Sequence, residues 1–139
     1  MADAEMLKPA FALVGLTAVV FVRMYWLRLA EIGRQRIDAQ AVATSSEMAR
    51  LLTDTRAADN FRNLFELPVL FYAAVFVAML TGLVTPISIG LAWAFVVLRI
   101  LHSAVHCTYN RVMHRFVLYV TGALVLFTWW AYLAMGQAW

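Results

Sequence analysis

The chain has one cysteine, Cys107, in 139 residues, which excludes an intramolecular disulfide. Charge is scarce and unevenly spread. Only 8 residues are acidic and 11 are Lys or Arg, and not one ionised side chain occurs in residues 67–98 or 116–139. No basic stripe interleaved with aromatics is present, so the net charge of +3 does not point to nucleic acid. Internal repeats and low-complexity tracts are missing. So is the apolar–polar alternation of a half-buried sheet or a barrel. Residues 1–8 carry Asp3 and Glu5 without a positive cluster or a cleavage site, so a removable signal peptide is not expected.

What is present is apolar. Hydrophobic residues make up 64% of the chain and mean hydropathy is +0.77, well above a soluble domain. The length accommodates four membrane spans of ~20 residues each. They are expected at residues 9–29, 56–80, 87–109 and 114–135, within one membrane domain covering 1–139. The expected fold class is all-α, a four-transmembrane-helix up-down bundle. Pro9 suits a first helical turn, where its missing N–H costs nothing. Thr81-Gly82 and Thr85-Pro86 mark a short turn. In the loop at 31–55, Thr44 followed by Glu47 three residues on predicts a capped surface helix. Trp129, Trp130 and Trp139 read as core residues or interface anchors.

The loops differ in charge. Arg34, Arg36, Arg50 and Arg56 lie between the first two spans, and Arg111 and Arg115 between the last two. The turn between spans two and three has none. The positive-inside rule places both basic loops in the cytoplasm and both termini outside it.

Against this background Glu66 and Arg99 stand out, because a charge at membrane depth requires a partner or a wet cavity. Asp59, Asn63 and Glu66 are spaced by four and three, which on a continuous helix puts them on one face, with Arg62 four residues before Glu66. Arg99, His102 and His106 repeat that spacing on span three. With Arg23 they form one polar zone on the basic side, rimmed by Arg34, Arg36, Arg111 and Arg115. Glu66 and Arg99 read either as an internal ion pair or as ligand contacts. Asn63 reads as interhelical glue or as a ligand contact. His102 and His106 lack a second coordinating set, so no metal is expected. Cys107 reads as a small buried thiol. A zone with many arginines and few carboxylates suits a small anion bearing carboxylates, which guanidinium forks match.

The string Asn60-Phe61-Arg62-Asn63-Leu64-Phe65-Glu66-Leu67-Pro68 resembles the Asn-x-x-Glu signature of the MAPEG superfamily, the membrane-associated proteins in eicosanoid and glutathione metabolism. Arg99-Ile100-Leu101-His102 resembles its third-span Arg-x-x-His. Phe65–Tyr72 and Tyr109–Arg115 are similar to strings in the short bacterial members, and the likeness covers essentially the whole chain. The resemblance implies four-helix subunits in a homotrimer, with glutathione held between neighbours near the cytoplasmic side. Asn63 and Glu66 match positions that hold glutathione, and Arg99 and His102 match the third-span polar positions. Arg115, sixteen residues after Arg99, matches the arginine that activates the thiol. Arg36 or Arg34 matches the first-span arginine. Arg62, His106 and Tyr109 complete the expected glutathione-binding set. Asp59, His106 and Phe116 stand where many eukaryotic members carry arginine, tyrosine and serine.

The resemblance therefore implies a glutathione-dependent transferase or peroxidase acting on apolar electrophiles or lipid hydroperoxides. The alternative is a catalytically silent MAPEG-fold scaffold that binds lipid or a partner. Either would be a multi-pass protein, expected in a bacterial inner membrane, contacting membrane lipids and, as an enzyme, an apolar small-molecule substrate.

Overall fold

The computed structural model describes residues 2–136, with the side chains of Ala2, Ala39 and Ser45 excepted; Trp139 lies outside the described residues. Four helical stretches are long and apolar enough to cross a membrane. The first, α1 (Ala2–Gln35), has 34 residues, or ~51 Å at the α-helical rise, and so outruns a ~30 Å hydrocarbon core. It extends the expected span at both ends. Asp3 and Glu5 in its first turn oppose the positive end of the helix dipole. Pro9 is consequently interior to the helix, not in its first turn.

The end of α1 carries a clasp. Glu31 Oε1 accepts from the Thr53 N–H at 2.9 Å, the Thr53 hydroxyl at 2.7 Å and Gln35 Nε2 at 2.9 Å. This bond set ties the long loop back to the helix. Within the loop, a 3₁₀ turn (Ala39–Val42) precedes α2 (Ser45–Leu51). Thr44 and Glu47 form the expected reciprocal cap: Thr44 Oγ1 accepts from the Glu47 N–H at 3.2 Å, and Glu47 Oε2 accepts from the Thr44 N–H at 3.1 Å.

The second span is broken. It consists of α3 (Arg56–Asn63) and α4 (Leu67–Leu80), separated at residues 64–66. Pro68 accounts for the interruption, since in an unbroken helix its ring would meet the carbonyl of Leu64 and its missing N–H would leave that carbonyl unbonded. The expected stripe Asp59–Asn63–Glu66 is therefore not one helix face. Glu66 stands in the break, before the first turn of α4.

α4 ends where Gly82 adopts φ +70°, a conformation that glycine reaches without a Cβ clash, and the Leu83 N–H returns to Ala78 O at 2.9 Å. Thr85 caps α5 (Pro86–Cys107) by accepting from the Ser88 N–H at 3.2 Å. α6 (Val112–Gly136) follows a turn in which Asn110, one of the residues that tolerates a left-handed backbone, has φ +52°.

The core lies toward the Gly82 turn. Leu13 of α1, Phe71 and Ala78 of α4, Phe95 of α5, and Leu126 and Trp129 of α6 are all fully buried there. Phe71 and Phe95 stack at 5.1 Å with an interplanar angle of 13°. Many large apolar side chains face outward, Trp26 and Leu80 among them, as helices that meet lipid or another subunit require.

Candidate functional site

The opposite half of the bundle is polar inside. α5 turns Arg99, His102, Ser103 and His106 inward, and each is at most 3% exposed. The spacing expected for Arg99, His102 and His106 is thus realised as one buried face. Arg99 lies between two rings, 5.5 Å from the centroid of Phe95 and 4.7 Å from that of Tyr119. These aromatic faces attract the guanidinium where water is excluded.

Glu66 and Arg99 form no ion pair. Tyr119 of α6 stands between their roles: its hydroxyl donates to Glu66 Oε2 at 3.0 Å while its ring covers Arg99. Glu66 itself is exposed, which the break in span two explains. Arg99 Nη2 is buried without a hydrogen-bond partner among the described residues.

The two histidines pack edge to face at 5.6 Å. His102 Nδ1 lies 3.2 Å from Arg115 O. A carbonyl only accepts, so Nδ1 carries the proton and Nε2 of the neutral ring holds the lone pair. His102 Nε2 and His106 Nδ1 are both buried and unpartnered among the described residues. Beside them, fully buried Asn60 accepts from Ser103 Oγ at 3.2 Å and donates to Cys107 Sγ at 3.5 Å. This bridge fastens α3 to α5.

A cleft of about 190 Å³ opens on this half, lined by Asn63, His102, Val112, Arg115, Phe116 and Tyr119. Arg115, half-buried, donates to Asn110 Oδ1 at 2.6 Å. Asn63 donates to Asp59 O at 3.1 Å, and its amide oxygen has no donor among the described residues. Three residues expected at a site, Asn63, His102 and Arg115, therefore meet in one cleft. Arg99 and Glu66 adjoin it through Tyr119, and His106 lies behind His102.

The other expected residues go elsewhere. Tyr109 is on the exposed rim, its hydroxyl 3.0 Å from His114 Nδ1. Arg62 lines a separate cavity with Arg28 of α1. Arg36 is exposed just past α1 at φ +52°, and it does not line the cleft. Arg23, expected in the polar zone, closes the end of α5 by donating to Cys107 O at 3.0 Å. Arg56 does the same at Thr108 O while pairing with Asp54 at 2.7 Å. That pairing holds the Asp54 carboxyl below its ordinary range, the Arg56 hydrogen bond being the main cause.

Sequence reasoning missed Tyr119, Asn60 and Ser103. Tyr119 was legible as a polar group four residues after Arg115, hence on the same helix face. Asn60 lies one turn before Asn63, and Ser103 one turn after Arg99. Their partners lie 43 to 53 residues away in sequence, a pairing that no local pattern encodes.

Among curated proteins and solved structures, none matches the chain. The sequence model of the MAPEG family matches residues 6–135 of the 139. With four apolar helices of spanning length and a buried polar face at one end, this integral multi-pass membrane protein belongs to the MAPEG family.

Proposed function

We propose that the protein is a membrane-bound, glutathione-dependent transferase or peroxidase for apolar electrophiles or lipid hydroperoxides, working as a homotrimer with span two near its centre. Membership in a superfamily of glutathione and eicosanoid metabolism supports the class. The observation that carries the reading is the cleft, where Arg115, His102, Asn63 and Tyr119 converge beside the exposed apolar side chains Val112 and Phe116.

The residues present fit an anionic tripeptide. Arg115 is a donor for a carboxylate, and the buried guanidinium of Arg99 adds positive charge behind Tyr119. Glu66 has a second carboxylate oxygen for an ammonium group, and the free amide oxygen of Asn63 accepts an N–H. Arg36, Arg62, His106 and Tyr109 stand outside the cleft in the single subunit, so Arg36, Arg62 and Tyr109 are assigned to the mouth and His106 to the backing of His102. Glutathione, when bound, supplies the nucleophilic thiol. Arg115, the proposed catalytic residue, favours the thiolate form by its charge. Val112 and Phe116 give the apolar co-substrate a path from the bilayer. The basic loops support a cytoplasmic mouth with both termini outside the cytoplasm, in a bacterial inner membrane.

The test is a titration of purified protein with millimolar glutathione, following thiolate absorbance and thermal unfolding. Arg115→Ala is expected to lower turnover by about 10²–10³-fold, the cost of removing one charge-stabilising donor, with little change in glutathione affinity. The second reading is a catalytically silent scaffold. It is favoured by the closure of Arg115 on Asn110 and of Tyr119 on Glu66. Absence of both a thiolate signal and a thermal shift decides for it.

A further inference from the structure

The turn between α5 and α6 does more than reverse the chain. The Asn110 N–H donates to Val105 O at 2.9 Å and closes the end of α5. That bond holds Asn110 in its left-handed backbone conformation, φ +52°, and so fixes where its side chain begins. From there Asn110 Oδ1 accepts from Arg115 Nη1 at 2.6 Å. Asparagine meets both demands, because it tolerates this backbone and its amide carries an acceptor.

Arg115 is held along its whole length. Its N–H donates to Arg111 O at 3.1 Å in the first turn of α6. Its carbonyl accepts from His102 Nδ1 at 3.2 Å. Both bonds fix only the backbone. The arginine side chain is long and rich in rotamers, and its neighbours Val112 and Phe116 are exposed. The bond to Asn110 is what keeps the guanidinium from swinging away from the cleft.

This hold is neutral. No acidic residue follows Glu66 in the sequence, and Arg115 has no ion pair among the described residues. A carboxylate in place of the amide would fix the guanidinium and offset its charge. The amide oxygen fixes it and leaves the charge intact. It also takes only one of the five N–H donors of the group, and the others have no partner among the described residues.

We propose that Asn110 is a positioning residue for the thiolate chemistry, holding the Arg115 guanidinium at the cleft with its charge undiminished. This role rests on the glutathione reading, and it is the opposite of sequestering Arg115. In the reaction the thiol proton passes to solvent and the thiolate sulfur bonds the electrophilic carbon. The leaving group of that carbon departs with its electron pair. The held charge favours the thiolate that begins the sequence.

The experiment compares the full-length protein in detergent with Asn110→Gly and Asn110→Asp. Glycine adopts a positive φ without a Cβ clash, so the turn persists and the melting temperature should stay close to that of the unaltered protein. Steady-state rates are measured with glutathione and chlorodinitrobenzene, whose leaving group is chloride. The thiolate midpoint of bound glutathione is read by absorbance. Phenylglyoxal labelling of Arg115 without glutathione is followed by mass spectrometry. Asn110→Gly is expected to lower kcat by about tenfold, the factor for one hydrogen bond to a charged group, with KM for glutathione little changed and Arg115 labelled faster. Asn110→Asp should keep labelling slow but raise the thiolate midpoint, because its carboxylate offsets the guanidinium. A normal thiolate signal in the unaltered protein, together with an unchanged or raised kcat in Asn110→Gly, overturns this proposal alone. Unchanged labelling of Arg115 in Asn110→Gly also overturns it. No thiolate signal in the unaltered protein removes the glutathione reading, and this role with it.

Discussion

Around Phe71 and around Arg99 the same helices are packed by different means. Near the Gly82 turn, α4, α5 and α6 meet through Phe71, Phe95 and Trp129, and among the described residues the indole Nε1 of Trp129 is the one buried side-chain nitrogen there without a partner. Toward the basic loops, α5 and α6 enclose Arg99, His102 and His106, and each has a buried nitrogen without a partner among the described residues. Lipid tails are as apolar as leucine, so helices in a bilayer associate through close packing and hydrogen bonds, not through exclusion from water. The aromatic end supplies that packing. The polar end spends part of it, since a buried unsatisfied donor or acceptor costs ~1–3 kcal/mol. The contrast teaches that the Arg99 end is built for something other than cohesion.

The largest expected effect breaks the aromatic end. Phe71→Ala removes a ring in contact with Phe95, Trp129 and Tyr72 and should cost ~3–5 kcal/mol, read as a lower melting temperature in detergent. An unchanged melt would mean that this cluster does not carry the fold. Next is Arg99→Met. Glu66 is exposed and held by Tyr119, so removing Arg99 strands no buried carboxylate. Stability should change by less than ~1.5 kcal/mol, in either direction, while any glutathione-induced thermal shift is lost. A collapse of the fold would show that Arg99 is structural. A smaller effect is expected from Tyr119→Phe, which keeps the ring over Arg99 and deletes only the bond to Glu66, for ~0.6 kcal/mol; chemical denaturation of the two proteins side by side measures it.

The smallest effect concerns the Asp54–Arg56 pair at the start of α3. The folded carboxyl titrates below its ordinary value of 3.8, so the pair contributes stability above that pH and loses it as pH falls through the folded value. The pair is partly exposed, and solvent screening limits the contribution to a few tenths of a kcal/mol. Asp54→Asn should flatten that part of the acid melting curve, and an identical curve would show the pair to be neutral.

Much of this was legible in the residues. The four spans, the Thr44–Glu47 cap and the inward face Arg99–His102–His106 follow from local spacing, and each is present. Pro68 was in view, and its effect on the Leu64 carbonyl is local chemistry, yet an apolar run through residues 67–80 reads as continuous helix. Missing that break joined Glu66 to Asn63 on one face. Arg23 was legible as a charge needing a partner, but that partner is the Cys107 carbonyl, 84 residues on. Arg62, four residues before Glu66, reads toward that carboxylate, and only the rotation of α3 against α1 sends it to the cavity that Arg28 lines.

Hydropathy and charge placement determine by themselves that this chain is a four-span helical membrane protein with a polar interior at one end. Those properties depend on neighbours within one or two helical turns and on the solvent each segment tolerates. The tertiary structure alone decides that Tyr119 mediates between Glu66 and Arg99, that Asn63, His102 and Arg115 share a cleft, and that Arg28 and Arg62 line a separate cavity. Each of those depends on how far one helix is rotated and shifted against another, and periodicity within a single helix carries no information about that.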